Sequence, residues 1–136
     1  MYKILLPVDG SDHSRRAVGK ATELSKLSGG EVRVFHFHEL APAKAGIGTP
    51  ERSAESTALV DQAVSELQQA GVRASGQTRT GSFGGAAKAI VDEADQFGAD
   101  LIVMGSRGLS DFEGLLVGSV AHKVVHHANC PVLIVR

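Results

Sequence analysis

Residues 2–11 read YKILLPVDGS, an apolar run that stops at Asp9 and hands over to Ser11. Because the run is apolar on both faces, it needs cover on both sides, as a strand inside a parallel sheet has. Four more runs follow: EVRVFHFH (31–38), VRASGQT (72–78), DLIVM (100–104) and PVLIV (131–135). Runs 100–104 and 131–135 share the two-sided apolar character of the first. Run 72–78 is the most polar and contains Gly76, which places it at a sheet edge.

The segments between these runs carry helical periodicity. Ala17, Ala21, Leu24 and Leu27 recur at spacings of three and four after a start at Ser11 or Asp12, and Gly29 supplies a stop. Leu59, Ala63, Val64, Leu67 and Ala70 repeat the pattern before Gly71, and Ala87, Ile90, Val91, Ala94 and Phe97 before Gly98. A fourth helix begins at Ser119, carries Val120, Val124, Val125 and Ala128, and runs out near Asn129 and Pro131. The stretch 40–52, LAPAKAGIGTPER, holds two Pro and two Gly and reads as a mobile loop with the character of a lid. Strict alternation of strand and helix predicts an α/β fold: a three-layer, doubly wound, parallel five-stranded sheet with right-handed crossovers. The whole of 1–136 reads as one domain, with no internal repeat. In such sheets ligands bind beyond the carboxyl ends of the strands where the strand order reverses, so function belongs in the loops after strands one, two and four.

Composition narrows the function classes. Fourteen basic and fifteen acidic side chains leave a formal charge of −1, and no basic stripe exists to track a phosphate backbone, which argues against nucleic acid as a partner. The apolar run at the N-terminus is too short for a signal-peptide core, and no segment reaches the roughly 18 apolar residues of a membrane span. With the lone Cys130, these features lead us to expect a cytoplasmic protein without a membrane partner. Cys130, just ahead of a strand, reads as a small buried residue.

Chemistry concentrates after strand four. Gly105-Ser106-Arg107-Gly108 is followed by nine residues and then Gly118-Ser119 at a helix start. Glycines allow tight turns and bring N–H groups close to an anion, while the helix start adds unpaired N–H groups and the positive end of the helix dipole. One such terminus contributes only about 0.3–1 kcal/mol, so several N–H groups must converge. The chain has no GK[ST] of a Walker loop, and no G-x-G-x-x-G follows the first strand. On local sequence two readings stand: a phosphate cradle, or a tight turn at Gly105 and Gly108 with Ser119 merely capping a helix. Asp9 is equally double, a helix-capping carboxylate or an acceptor for ribose hydroxyls. If strands one and four are neighbours, Asp9 and the glycine loop face one crevice.

PVDGS (7–11), GADLIVMGSRG (98–108), the spacing G-x2-G-x9-G-S and the ending CPVLIVR together resemble a universal stress protein of the single-domain, ATP-binding type, from Tyr2 to Arg136. The resemblance implies strand order 3-2-1-4-5 and nucleotide contacts at Pro7, Val8 and Asp9, with Phe37 contributing its main chain at the base. It further implies that Met104, Gly105, Arg107 and Gly108 face ribose and phosphates, and that Gly118, Ser119, Val120 and Ala121 close on the phosphates. Phe37 stands where smaller aliphatic residues are common in the family, and a ring there narrows the adenine slot or stacks on its edge. The cofactor so implied is ATP, with Mg2+ or Mn2+ held through the phosphates because no carboxylate cluster is evident. The apolar residues of LSDFEGLLV (109–117) are expected to pin the loop to the sheet. PVLIV at an edge predicts a homodimer through strand 131–135, a partner arrangement the resemblance also implies.

The remaining candidates carry less. His122 and His126, four residues apart on a helix, have no evident third metal ligand and read as solvent-facing; His36 and His38 share one face of strand two and line the crevice wall. Ser106, Ser110 and Ser119 are conceivable phosphoryl acceptors without an evident base. The functional expectation is an ATP-binding regulatory module of the stress response with an unknown protein partner. A nucleotide-independent dimeric scaffold and a slow ATPase or autokinase remain as alternatives.

Overall fold

The computed structural model describes residues 1–40, 50–107 and 117–136, with the side chains of 50–53 left aside. Five parallel strands, β1 (Lys3–Pro7), β2 (Glu31–Leu40), β3 (Arg73–Ser82), β4 (Leu101–Gly105) and β5 (Val132–Val135), form one sheet in the order 3-2-1-4-5. Register runs Leu5↔Arg33 between β1 and β2, Leu5↔Ile102 between β1 and β4, and Gly105↔Val135 between β4 and β5. Strand order therefore reverses between β1 and β4, and their carboxyl ends open the crevice characteristic of such sheets.

Four helices cover the two faces: α1 (Asp12–Ser28), α2 (Pro50–Gln69), α3 (Ala86–Phe97) and α4 (Ser119–His127). On one side Ile4, Leu6, Val32, Val34 and Val103 pack against Ala17, Val18, Ala21, Val60, Ala63 and Leu67 of α1 and α2. On the other, Leu5, Phe35, Ile102 and Met104 pack against Ala87, Ile90, Ala94, Ala121 and Val124 of α3 and α4. β1 and β4 alternate between these cores, which is why both their faces are apolar. No helix among the described residues is long and apolar enough to cross a membrane.

Local chemistry explains most helix boundaries. The Ser11 side chain accepts from the Ser14 N–H at the start of α1, and Gly29 and Gly98 close α1 and α3 in the left-handed region, at φ 69° and 72°. Gly76 in edge strand β3 answers to packing, since a Cβ there would stand 2.5 Å from Val60 Cγ1 on α2.

Four expectations are corrected. The irregular stretch does not fill 40–52: Leu40 ends β2 and Pro50–Arg52 are helical, because proline's fixed φ suits the first helical position. Residues 41–49 lie outside the described ones, as do 108–116. Leu27 is 79% exposed, and Val18 and Ser25 take its place in the buried stripe of α1. Val125 is 52% exposed, since α4 turns Ala121 and Val124 inward instead. Run 131–135 is covered incompletely: α1 and α4 reach β5 from opposite faces, but at the end of the sheet Leu133 stays exposed.

Candidate functional site

At the carboxyl ends of β1, β2 and β4 lies a cavity of about 220 Å³. Its apolar walls are Pro7, Val8, Phe35, Phe37, Ile90, Met104, Val120 and Ala121, and its polar lining includes Asp9, Ser11, Ser14, His36, Glu39, Ser106 and Arg107. Apolar walls with a few convergent polar groups are the usual make-up of a small-molecule site. Among the described residues Arg107 is the one lysine or arginine in that lining.

The β1 side is built by a turn that only glycine makes easily: Gly10 has φ 85°, and the Ser11 N–H donates to Asp9 Oδ1 at 2.9 Å. The Asp9 N–H donates in turn to Ser14 Oγ at 3.1 Å. Asp9 thus braces the turn into α1, whose N-cap is Ser11 and not Asp9, and it also borders the cavity. The Val8 carbonyl accepts from His36 Nδ1 at 2.7 Å, tying the end of β1 to β2.

The β4 side depends on close approach. A Cβ on Gly105 would stand 2.8 Å from the backbone carbon and Cβ of His13 and 2.9 Å from Ser14 N, so the absent side chain lets α1 begin directly against β4. Ser106 follows, 1% exposed, its N–H donating to the Val135 carbonyl at 2.7 Å and its carbonyl accepting from the Gly118 N–H at 2.5 Å. Gly118 opens α4 at φ −69°, which any residue adopts, and its carbonyl accepts the His122 N–H at 2.9 Å. Its contribution is a small, buried position, not a left-handed turn. The N–H groups of the first turn of α4, on Ser119, Val120 and Ala121, precede that first helical bond, and Val120 and Ala121 border the cavity.

Of the twelve positions singled out in the sequence, Pro7, Val8, Asp9, Phe37, Met104, Gly105, Arg107, Val120 and Ala121 line this one cavity. Gly118 and Ser119 sit at the adjoining helix start without lining it. Gly108 lies outside the described residues, as do Ser110 and all but Val117 of the expected loop anchor, and Val117 is exposed and does not pin the loop to the sheet. The model of the universal stress protein family matches residues 1–136.

The chain belongs to the universal stress protein family.

The universal stress protein in the QAH/OAS sulfhydrylase 3'region of Thermus aquaticus is 36% identical over 140 residues, with 100% of both chains covered. The universal stress protein of Archaeoglobus fulgidus, solved in complex with dAMP, superposes with a TM-score of 0.80 at 27% identity, covering 100% of this chain and 98% of that one. Another, solved in complex with cAMP, gives a TM-score of 0.76 at 26% identity, covering 99% and 97%.

In this universal stress protein the Phe37 ring is accommodated by glycines. A Cβ on Gly81 would meet Phe37 Cζ at 2.7 Å, and one on Gly85 would meet it at 3.2 Å, so the ring leans onto the end of β3 and the start of α3. His38, on the opposite face of β2 from Phe37, points to α2, where Ser56 Oγ lies 3.4 Å from its Nδ1, and it does not line the cavity. His36 does line it. His122 and His126 are exposed, and among the described residues no three His, Cys, Asp or Glu side chains gather as metal ligands.

Sequence reading missed His13. Its Nδ1 lies 2.7 Å from Ser106 Oγ and its Nε2 3.3 Å from Arg107 Nη2, while Ser11 Oγ donates to the Arg107 carbonyl at 3.4 Å. The first turn of α1 thereby clamps the loop after β4. Two adjacent polar residues, His13 and Ser14, directly after a turn at the switch point were the signal available.

Proposed function

We propose that this universal stress protein is a single-domain regulatory module whose state is set by an adenine nucleotide, ATP by preference, bound in the cavity between β1 and β4. The observation that carries this reading is the convergence of nine expected contact positions, from opposite ends of the chain, on one cavity at the topological switch point. Relatives of the same fold bind dAMP and cAMP, which supports an adenine nucleotide as the ligand class.

The residues present fit such a ligand. Met104, Val8, Phe35 and Phe37 offer apolar surface to a base, the carboxylate of Asp9 suits ribose hydroxyls, and Arg107 with the start of α4 suits phosphate oxygens. Gly105, Gly108, Gly118 and Ser119 complete the phosphate side in this reading. Mg2+ or Mn2+ accompanies ATP through the phosphates themselves. Nucleotide acts by changing the shape presented to a partner protein in the cytoplasm, not by rapid turnover. The exposed edge of β5, with Leu133 on it, is the surface through which we propose two copies pair.

The test is thermal and chemical unfolding with ATP, AMP or cAMP. A hundredfold excess over the dissociation constant stabilises the wild type by about 2.7 kcal/mol, and Asp9→Ala and Gly118→Val gain less at the same concentration. A wild type that gains nothing from millimolar Mg-ATP or AMP is a nucleotide-independent scaffold and refutes the proposal. Phosphate release abolished by Ser119→Ala would move the reading to an ATPase.

A further inference from the structure

The contacts of His13 favour one tautomer. A guanidinium only donates, so the 3.3 Å contact between Arg107 Nη2 and His13 Nε2 requires a bare, accepting Nε2. The neutral ring then carries its hydrogen on Nδ1, which donates to Ser106 Oγ at 2.7 Å. Ser106 is a fixed anchor for that bond: it is 1% exposed, and its backbone is held on both sides, by the Val135 carbonyl at 2.7 Å and the Gly118 N–H at 2.5 Å. The same bonds argue against His13 as a general base toward Ser106, since the nitrogen facing the hydroxyl already bears the proton.

We infer that His13 is a positioning residue: anchored on Ser106, it holds the Arg107 guanidinium over the cavity in the pose that receives a nucleotide's phosphate oxygens. This rests on the adenine-nucleotide reading above and extends it to a residue that touches no ligand. It matters because Arg107 is the one Lys or Arg lining the cavity among the described residues, in a lining that also holds two carboxylates, Asp9 and Glu39. Each contact that orders a long side chain in advance spares part of the ordering cost at binding, and His13 supplies one such contact.

The experiment has two arms. Nitrogen-15 imidazole spectra of the free protein should show His13 as the Nδ1–H tautomer; an Nε2–H ring overturns the inference whatever binds. Titrations with AMP and with adenosine then compare wild type, His13→Ala, His13→Gln and Arg107→Ala. His13→Ala should weaken AMP roughly two- to tenfold, the range set by ordering one long side chain, and leave adenosine unchanged. His13→Gln, whose amide oxygen also accepts from Arg107, should recover most of that loss. In the Arg107→Ala background His13→Ala should have no further effect. Equal weakening of adenosine, or a loss that persists without Arg107, marks a merely structural role and overturns the inference. Wild type that binds AMP with His13→Ala unchanged sinks this inference alone, whereas wild type that binds neither ligand removes the nucleotide reading with it.

Discussion

Gly105→Ala is a change of one methyl group, and the structure makes it costly. The new Cβ would lie 2.8 Å from two His13 atoms and 2.9 Å from Ser14 N, at least 0.5 Å inside the 3.4 Å at which ordinary contact begins. Two of the three clashing atoms belong to the backbone of α1, so no rotamer change relieves them, and the helix start must move off β4. Overpacking of this kind typically costs about 1–3 kcal/mol. The displaced turn is also the one carrying the His13–Ser106 contact and the Ser11 bond to the Arg107 carbonyl, so the site should loosen with it. Urea unfolding followed by circular dichroism should give a lower midpoint at unchanged m-value, and AMP affinity should fall in the same variant. Gly19→Ala is the matched control: Gly19 lies mid-helix in α1 with nothing within 4 Å of its would-be Cβ. It should stabilise by about 0.5–1 kcal/mol through helix propensity alone. If Gly105→Ala matches wild type in midpoint, or shifts in the same direction as Gly19→Ala, the close approach of α1 to β4 is not a constraint, and the account of Gly105 fails.

Other perturbations separate packing from charge. Glu93, with a side chain 3% exposed, accepts from Arg33 at 2.9 Å and Arg79 at 2.8 Å, so Glu93→Gln leaves two guanidiniums around a neutral amide. Because both arginines are about one-third exposed, the expected loss is about 1–3 kcal/mol in urea, below the range for a fully buried pair; a change under about 0.5 kcal/mol would show the cluster to be passive. Gly81→Ala drives a methyl to 2.7 Å from the Phe37 ring, whose free end rotates away; stability should change little while affinity for the adenine base shifts, and unaltered adenosine binding would remove Phe37 from the site. Burial, and then the carboxylates of Asp95 and Asp100, push the Cys130 thiol up from 9.0. Its alkylation at pH 8 should therefore be slower than that of an unfolded-state thiol. Since the folded state holds this proton more tightly, the linked stability is present below the unfolded pKa and declines as pH rises through the folded one; alkylation as fast as in urea would contradict this.

What the sequence made legible were features governed by neighbours in the chain. Gly29, Gly71 and Gly98 all adopt positive φ, at 69°, 85° and 72°, because ending a helix in the left-handed region is a steric matter settled within one turn. Two-sided apolar runs at β1 and β4 likewise announced strands with helices on both faces. The apolar stripe of α1 was read less well. Spacing nominated Leu27, yet Val18 and Ser25 are buried in its stead, because the sheet and not the helix decides which side faces inward.

Glu93 and His13 show a different limit. A carboxylate on α3 reads as solvated, and it is buried only because Arg33 and Arg79 reach it from strands 60 and 14 residues away. His13 and Ser106 are separated by 93 residues, and neither carries a local signal for the other. The strand order nevertheless constrains that pair. Once β1 lies beside β4 in parallel, the turn leaving β1 and the loop leaving β4 emerge on the same edge, and a glycine closing β4 admits the first turn of α1 against it. The residues just after those two strands must then meet. The step from topology to contact was therefore available to reasoning, and it needed Gly105 to be read as an absence of side chain where the eye sees a flexible phosphate loop.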